Sequence, residues 1–557
     1  MKKNWWKEAV GYQIYPRSFK DSNGDGIGDL QGVISKLDYL KELGIDIIWI
    51  CPMYKSPNDD NGYDISDYRD ILDEFGSMGD FDELLAEVHR RGMKLIIDLV
   101  INHTSDEHEW FVEASSSKDN PKRDWYIWRD GKDGAEPNNW ESIFSGSAWE
   151  HMEDTDQYYL HLFSKKQPDL NWENAEMRQE IYNMINWWLD KGIDGFRVDA
   201  ISHIKKEDGF PDMPNPENTR YVSSFKKHMN QPGIHNYLRD LKENTFDKYD
   251  IVTVGEANGV SVGDLEDIRE WVGSEDGKFN MIFQFEHLDL WNADTSGDFD
   301  VVGYKKVLSK WQNTVNDIGW NALYIENHDI PRSVSTWGDD GEYRLQCAKS
   351  FGAVYFLQKG TPFIFQGQEI GMTNVSYPSI KDYKDVRTLN EYNEASEDSK
   401  KCATFIENLK VSSRDNARTP MQWDATANAG FTSGTPWIGT NENYRSINVE
   451  SELRDENSIL NFYKKMIRLR GDSKELLYGD YKLLMEEDKN IYAYTRMEGE
   501  RGYVIVCNLS RNLCEFKGED KLKHENLVLN NYSVDTHGEI KNFMLSPYEC
   551  RVYKIER

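Results

Sequence analysis

Three carboxylates fall in short segments that could do chemistry: Asp199 in GFRVDA (195–200), Glu256 in VGEA (254–257) and Asp329 in ENHD (326–329). In the first, Phe196 and Val198 alternate with Arg197 and Asp199, so the segment reads as a buried strand with one apolar face and one charged face. A buried carboxylate is costly unless paired, and Arg197 lies on the same side two residues back. That pairing would hold Asp199 ionised and aimed, as a nucleophile must be. Glu256 follows Ile251, Val252 and Val254 with no cation adjacent in sequence, and an apolar setting would keep it protonated, as an acid must be. Two carboxyl groups in these two states are the apparatus for cleaving a glycosidic bond. Asp329 would accept hydrogen bonds from sugar hydroxyls and help distort the ring. His103 and His328 would donate to hydroxyls, and Tyr63, Phe144 and Phe163 would wall a sugar face. Taken alone, the Arg–Asp pair reads better as a structural ion pair and each histidine as a buried core residue, while the aromatics could as well pack the insertion.

Their positions on the chain favour the shared site. A strand-like VGYQIYP (10–16) is followed by helix–strand pairs: helix 30–43 and IDIIWI (45–50); helix 80–91, capped by Asp80 with Glu83 three residues on, and KLIIDLV (94–100); helix 174–191 and GFRVDA; helix 234–246 and DIVTVGEA (250–257). A segment near 262–272 leads to FNMIFQF (279–285), helix 300–316 to NALYIENHD (321–329), and helix 341–357 to TPFIFQGQE (361–369). Eight apolar strands alternating with helices predict a parallel sheet closed into a (β/α)8 barrel. Asp98, Asn102 and His103 end the third strand, Arg197 and Asp199 the fourth, Glu256 the fifth, and Asn327, His328 and Asp329 the seventh. The carboxyl-terminal rim of such a barrel is where chemistry sits.

The barrel is interrupted and extended. Residues 104–173 are rich in Trp, Asp, Asn and Gly with little periodicity, which predicts a functional insertion after the third strand. A second irregular stretch over 372–420 contains SRDNARTPMQW (413–423), with Arg414 and Arg418 near Trp423, and helix 455–472 would close the barrel. From 478 the pattern becomes short alternating runs, an antiparallel β-sandwich. The expected organisation is barrel over 1–103 and 174–477, insertion over 104–173, and β domain over 478–557.

Composition narrows the partners. With 557 residues and a net charge of −31, the chain is disfavoured as a binder of nucleic acid or anionic membrane. Eighteen Trp and thirty Tyr exceed what packing needs and suit stacking on sugars. No stretch of roughly 18 apolar residues spans a membrane, and MKKNWWKEAV lacks the apolar run of a secretory signal. Six scattered cysteines without a CxxC pair read as free thiols of a cytoplasmic protein. In DSNGDGIGD (21–29), Asp21, Asn23, Asp25 and Asp29 alternate with glycines; the spacing fits either a turn that supplies oxygens to a hard cation or a Gly/Asp loop capping the next helix.

DLVINH (98–103), GFRVDA, VGEA and ENHD together resemble the α-amylase family of glycoside hydrolases over essentially the whole chain. QPDLNW (167–172) and GYDISDY (62–68) place the resemblance in its α-glucosidase and oligo-1,6-glucosidase group. The resemblance implies a retaining enzyme that removes single glucose units from non-reducing ends of short oligosaccharides, as a monomer or weak homo-oligomer. It implies Asp199 as nucleophile, Glu256 as acid/base and Asp329 as transition-state stabiliser. Asp60, Tyr63, His103, Arg197, His328 and Arg414 would hold the glucose, and Phe144, Phe163 and Gln167 would shape the pocket mouth. A structural Ca2+ would sit on Asp21, Asn23, Asp25, Asp29 and the Ile27 carbonyl, and no organic cofactor is implied. In that group valine after the nucleophile accompanies α-1,6 cleavage, and alanine or threonine α-1,4. Ala200 leaves more room at the leaving group, but such a contact shifts preference by only about 1–3 kcal/mol and leaves linkage open. A sucrose isomerase would carry an Arg-rich loop after the eighth strand, where KDYKDVRTLNEYNE (381–394) has one Arg. A trehalose-6-phosphate hydrolase would need a basic phosphate pocket, and a non-catalytic transporter-associated member would lack the carboxylates.

Overall fold

The computed structural model describes residues 4–290, 299–395, 399–518, 523–534 and 540–556. Eight parallel strands form the central sheet: β1 (Gly11–Ile14), β2 (Ile47–Ile50), β3 (Lys94–Val100), β4 (Gly195–Asp199), β5 (Val252–Glu256), β6 (Met281–Phe283), β7 (Ala322–Leu323) and β8 (Thr361–Phe365). Their order is β6-β5-β4-β3-β2-β1-β8-β7, so sequence neighbours pair and the first strand pairs with the last, as a barrel requires. Between β6 and β7 the ladder is replaced by side chains: the Tyr324 hydroxyl donates to the Gln284 carbonyl at 2.7 Å, and the Phe283 and Tyr324 rings meet edge to face at 5.0 Å.

The barrel lumen is filled by Ile47, Trp49, Ile96, Val252, Val254, Met281, Phe283, Tyr324 and Phe363. It is therefore a packed core with chemistry only at its rim. Register sets that rim: Arg197 pairs with Asp98 on β3 and with Val254 on β5. Gly195 starts β4 with φ +142°, and a Cβ there would lie 1.8 Å from the Val252 carbonyl oxygen, so only glycine lets β4 approach β5 this closely. The helices cover the outside. That of Met78–Arg90 is capped by Ser77, with Asp80 reaching back to the Ser77 N–H; the cap thus lies three residues before the Asp80 read from sequence. The helix expected over 30–43 is two, Leu30–Ser35 and Leu37–Leu43, broken at Lys36.

The excursion after β3 holds a helix, Glu109–Ser116, and a three-stranded antiparallel sheet around Gln157–Leu160. Its core of Ile127, Trp140, Trp149, Leu160 and Leu162 is completed by Phe210 and Met213 from the segment after β4. In the same segment, Val222–Ser223 pairs with Trp140–Glu141. The stretch after β8 is less irregular than its sequence suggests: it contains helices Val386–Ala395 and Ser399–Ser412. Beyond the barrel, Asp480–Leu484, Ile491–Glu498, Arg501–Asn508, Lys523–Asn530 and Cys550–Glu556 form an antiparallel sheet, and Cys514–Lys517 pairs with Asn542–Leu545 in a second. Val504, Val506, Phe516, Leu545, Tyr553 and Ile555 form the core between them.

Candidate active site

Arg197 is the node of the rim. Its Nη1 donates to Asp98 Oδ1 and to Asp199 Oδ1, both at 2.7 Å, and its Nη2 lies 2.9 Å from Glu256 Oε2. Glu256 thus has a cation against it, supplied across the β4–β5 register, and the purely apolar setting expected from its sequence neighbours is corrected. Glu256 Oε2 also accepts the Ala200 N–H at 2.7 Å, and Ala200 adopts the left-handed conformation (φ +44°) that turns this N–H inward. The side chains of Asp199 and Glu256 are only 11% and 12% exposed.

One guanidinium faces three carboxylates, and this decides the protonation. Burial pushes the Asp199 carboxyl well above its usual range; Arg197 opposes this, and Glu256, Asp98 and Asp329 reinforce it. The expectation that Arg197 alone keeps Asp199 ionised is corrected on the same ground: Asp98 and Glu256 draw on the same charge. Asp199 therefore competes with two other carboxylates for one guanidinium, and burial raises its carboxyl despite that contact. Asp98 is placed by the Trp49 indole at 3.0 Å and the Tyr63 hydroxyl at 3.1 Å.

Asp329 is set up in the opposite sense. Burial would raise its carboxyl, but His328, Arg414 and Arg418 outweigh it and hold it well below the usual carboxylate range. His328 Nε2 is 3.0 Å from Asp329 Oδ2, and Arg414 Nη1 and Arg418 Nη2 reach Oδ1 at 3.1 and 2.9 Å. Gln13 donates to His328 Nδ1 at 2.8 Å, which leaves the ring hydrogen on Nε2, facing Asp329. The Asp329 side chain is 30% exposed, the most open of the three.

The remaining candidates are joined to these groups and to one another by direct contacts. Gln167 Nε2 donates to Asp60 Oδ2 at 3.2 Å and lies 3.1 Å from His103 Nε2, which also faces the Tyr63 carbonyl at 3.2 Å. Burial lowers His103 to about 4, so it is neutral at pH 7. The Tyr63 ring stacks on His328 at 5.1 Å and 5°. Phe163 packs on His103 at 5.0 Å and on Phe144 at 5.5 Å, and the Arg414 guanidinium lies 4.6 Å above the Phe144 ring. Every catalytic and sugar-binding candidate read from the sequence is brought to this rim. Three groups there went unassigned from sequence: Asp98, Arg418 and Asp385, which touches Arg414 at 2.6 Å. Asp98 sits inside a motif already noted, whereas Asp385 stands in a segment with no periodic or motif signal. Trp423, read beside the arginines, instead packs on Phe19 and Tyr39.

The loop carrying Asp60 is fastened by Asp64, which accepts the Asp59 and Asp60 N–H groups at 2.8 and 3.0 Å. Burial pushes Asp64 up to about 7, against roughly 3.9 in an unfolded chain. A raised acid contributes stability that is complete below the unfolded value and is lost as pH rises through the folded one. From about pH 4 to about pH 7 a rising pH therefore lowers the melting temperature through this group, with no further change above. We expect Asp64→Asn to show a smaller fall over that range by scanning calorimetry, and identical slopes for the two proteins would refute the assignment.

In the turn at 21–29, Asp21 accepts the Asn23, Gly24 and Gly26 N–H groups and the Thr432 hydroxyl. Asn23 and Asp25 each accept the N–H two residues on, and Asp29 caps the helix at Gly32. The donors are all oxygens, which suits a hard cation. The side-chain oxygens of Asn23 and Asp25 keep unused lone pairs, while those of Asp21 are fully engaged. Among the described residues no three His, Cys, Asp or Glu side chains stand close enough to share an ion. Any cation here therefore depends on Asn23 and the Ile27 carbonyl as well.

The family model for the α-amylase catalytic domain matches residues 13–479. The chain belongs to the α-amylase family. It is 56% identical to the probable oligo-1,6-glucosidase 3 of Bacillus subtilis (strain 168), covering 99% of this chain and 100% of that protein. It is 53% identical to an oligo-1,6-glucosidase of Parageobacillus thermoglucosidasius, covering all of both chains. Among solved structures, the isomaltulose synthase of Klebsiella sp. LX3 has a TM-score of 0.94 at 42% identity over the full length of both. The trehalose-6-phosphate hydrolase of Bacillus licheniformis has a TM-score of 0.92 at 45% identity, covering 99% of this chain and 100% of that one. As an α-amylase family glycoside hydrolase, the chain thus shares its scaffold with relatives of different named activities.

Proposed function

We propose that the protein is a retaining, exo-acting α-glucosidase that releases glucose from short α-linked oligosaccharides such as isomaltose and maltose. The observation that carries this reading is the grip of one guanidinium on both Asp199 and Glu256, which sets the two carboxyl groups side by side at the barrel rim. In the double displacement, Asp199 attacks the anomeric carbon while Glu256 gives its proton to the leaving oxygen, and Glu256 then takes a proton from the water that frees the sugar. Asp329, held ionised by Arg414 and Arg418 with the His328 N–H beside it, accepts hydrogen bonds from ring hydroxyls as charge develops. Asp60, His103, Gln167, Arg197, His328 and Arg414 hold the terminal glucose, and Tyr63 and Phe163 face its apolar side. The exo mode is supported by the rim: Asn390, from the helix after β8, donates to the Phe144 carbonyl at 3.1 Å, so that helix and the insertion meet above the pocket. The curated relatives carry α-1,6 names, and we assign α-1,6 cleavage together with α-1,4. Initial rates on isomaltose, maltose, sucrose and trehalose 6-phosphate test this. The first two should dominate, and a preference for sucrose or the phosphorylated sugar would overturn it.

The turn at 21–29 takes a structural Ca2+ in this reading, through Asp21, Asn23, Asp25, Asp29 and the Ile27 carbonyl, with Asp21 exchanging one of its hydrogen bonds for the ion. Chelation should then lower the melting temperature by several degrees, and calcium should restore it. An unchanged transition in protein shown to be metal-free would leave the turn as a hydrogen-bonded cap. Six free thiols, five of them buried, suit a reducing compartment, and we place the protein in the cytoplasm.

A further inference from the structure

Arg414 is gripped by more than the residues that line the pocket. Its Nε donates to Asp385 Oδ1 at 2.8 Å, and its Nη2 lies 2.6 Å from the same oxygen. Nη2 also reaches Asp60 at 2.9 Å, which leaves Nη1 for Asp329 at 3.1 Å. The Asp385 side chain is 1% exposed and lies behind the guanidinium, away from the open face of the pocket. Its second oxygen accepts the Thr388 N–H at 3.0 Å and the Thr388 hydroxyl at 2.7 Å, so the carboxylate is fully engaged. Its backbone is fixed in turn: Asp415 accepts the N–H groups of Lys384 and Asp385 at 2.7 and 3.1 Å. Asp60, on the other side of Arg414, is fastened in the same way by Asp64. Asp60 and Asp385 therefore each stand on a loop pinned by a second buried aspartate.

A long arginine has many rotamers, and an edge-on carboxylate removes most of them by fixing the plane of the fork. We propose that Asp385 is a positioning residue, which holds the Arg414 guanidinium in the one plane that reaches both Asp329 and the terminal glucose. The proposal rests on the glucosidase reading above. It adds that grip on the sugar depends on the segment after β8, because Asp385 opens the helix Val386–Ala395 whose Asn390 holds Phe144.

The test is a mutant cycle on p-nitrophenyl α-D-glucopyranoside and isomaltose. Asp385→Asn keeps the shape and removes the charge. We expect it to lower kcat/KM at least about 30-fold, by the same factor on both substrates, because the glucose is common to them. In an Arg414→Ala background the same change should alter kcat/KM less than about twofold. Thr388→Ala removes the helix-cap contact and leaves the grip on Arg414, and should stay within about threefold of wild type. Asp385→Asn activity within threefold of wild type, additive losses with Arg414→Ala, or an equal loss in Thr388→Ala would each overturn the proposal. Should Asp385→Asn fail to fold, Arg414→Lys reads the same contact, since an ammonium cannot take the planar grip. It should lose as much as Arg414→Ala, and wild-type kcat/KM would overturn the proposal. All values are ratios to wild type, so failure of the cycle leaves the glucosidase reading standing. Wild-type rates on isomaltose and maltose test that reading separately.

Discussion

Asp199→Ala is expected to reduce glucose release by at least about 10⁴-fold while leaving the melting temperature within a few degrees of wild type. The loss should be large because, in the proposed mechanism, no neighbour can replace the attacking oxygen: Asp98 is fully buried beneath Arg197, and Glu256 would be engaged in proton transfer. The fold should tolerate the change because it removes one of three carboxylates from a single guanidinium. Arg197 keeps Asp98 and Glu256 as partners, so no buried cation is left unpaired. Steady-state release of glucose from isomaltose and a thermal scan measure both halves. Turnover within tenfold of wild type would remove Asp199 from the reaction, and with it the double displacement.

Glu256→Gln separates the second role from the first. A proton donor matters in proportion to how poor the leaving group is. Glucose leaving from isomaltose needs the proton, whereas p-nitrophenolate does not. The variant should therefore lose about 10²–10⁴-fold on isomaltose and far less in the glycosylation step on p-nitrophenyl α-D-glucopyranoside. A glucosyl-enzyme should then accumulate, seen as a burst of p-nitrophenol, because the amide cannot activate the water that hydrolyses it. Equal losses on both substrates without a burst would assign Glu256 a binding role only. The glutamine amide can still accept the Ala200 N–H, so the inward turn of the chain at Ala200 is kept.

Much of this site was legible in the sequence because its parts sit on regular elements. The strands that carry Asp98, Arg197, Asp199 and Glu256 are continuous apolar runs whose ends mark the rim, and their period of two says which side chains share a face. What periodicity could not show was which groups meet across strands. Arg197 reads as the private partner of Asp199 because only sequence neighbours are visible; the register that delivers its other arm to Glu256 is a property of the assembled sheet. β7 illustrates the same limit. Its apolar run extends to Ile325, yet only Ala322–Leu323 is strand, and beyond it the chain leaves the ladder: Glu326 binds Ser333, and Asp329 receives two arginines from beyond β8. Asp385 was invisible because a lone aspartate in a polar helical segment carries no pattern. Its meaning comes entirely from an arginine 29 residues further on.

The shared core of the insertion has a consequence for engineering specificity among relatives. Trp140 and Trp149 are covered by Phe210, and the Trp140 indole donates to the Pro211 carbonyl at 2.9 Å, both partners coming from the segment that follows β4. A chimera that transplants residues 104–173 alone would tear this joint open, exposing two large indoles and orphaning a donor. The exchangeable module is discontinuous, and swaps that carry residues 207–224 along with the insertion are the ones that should yield well-behaved hybrids.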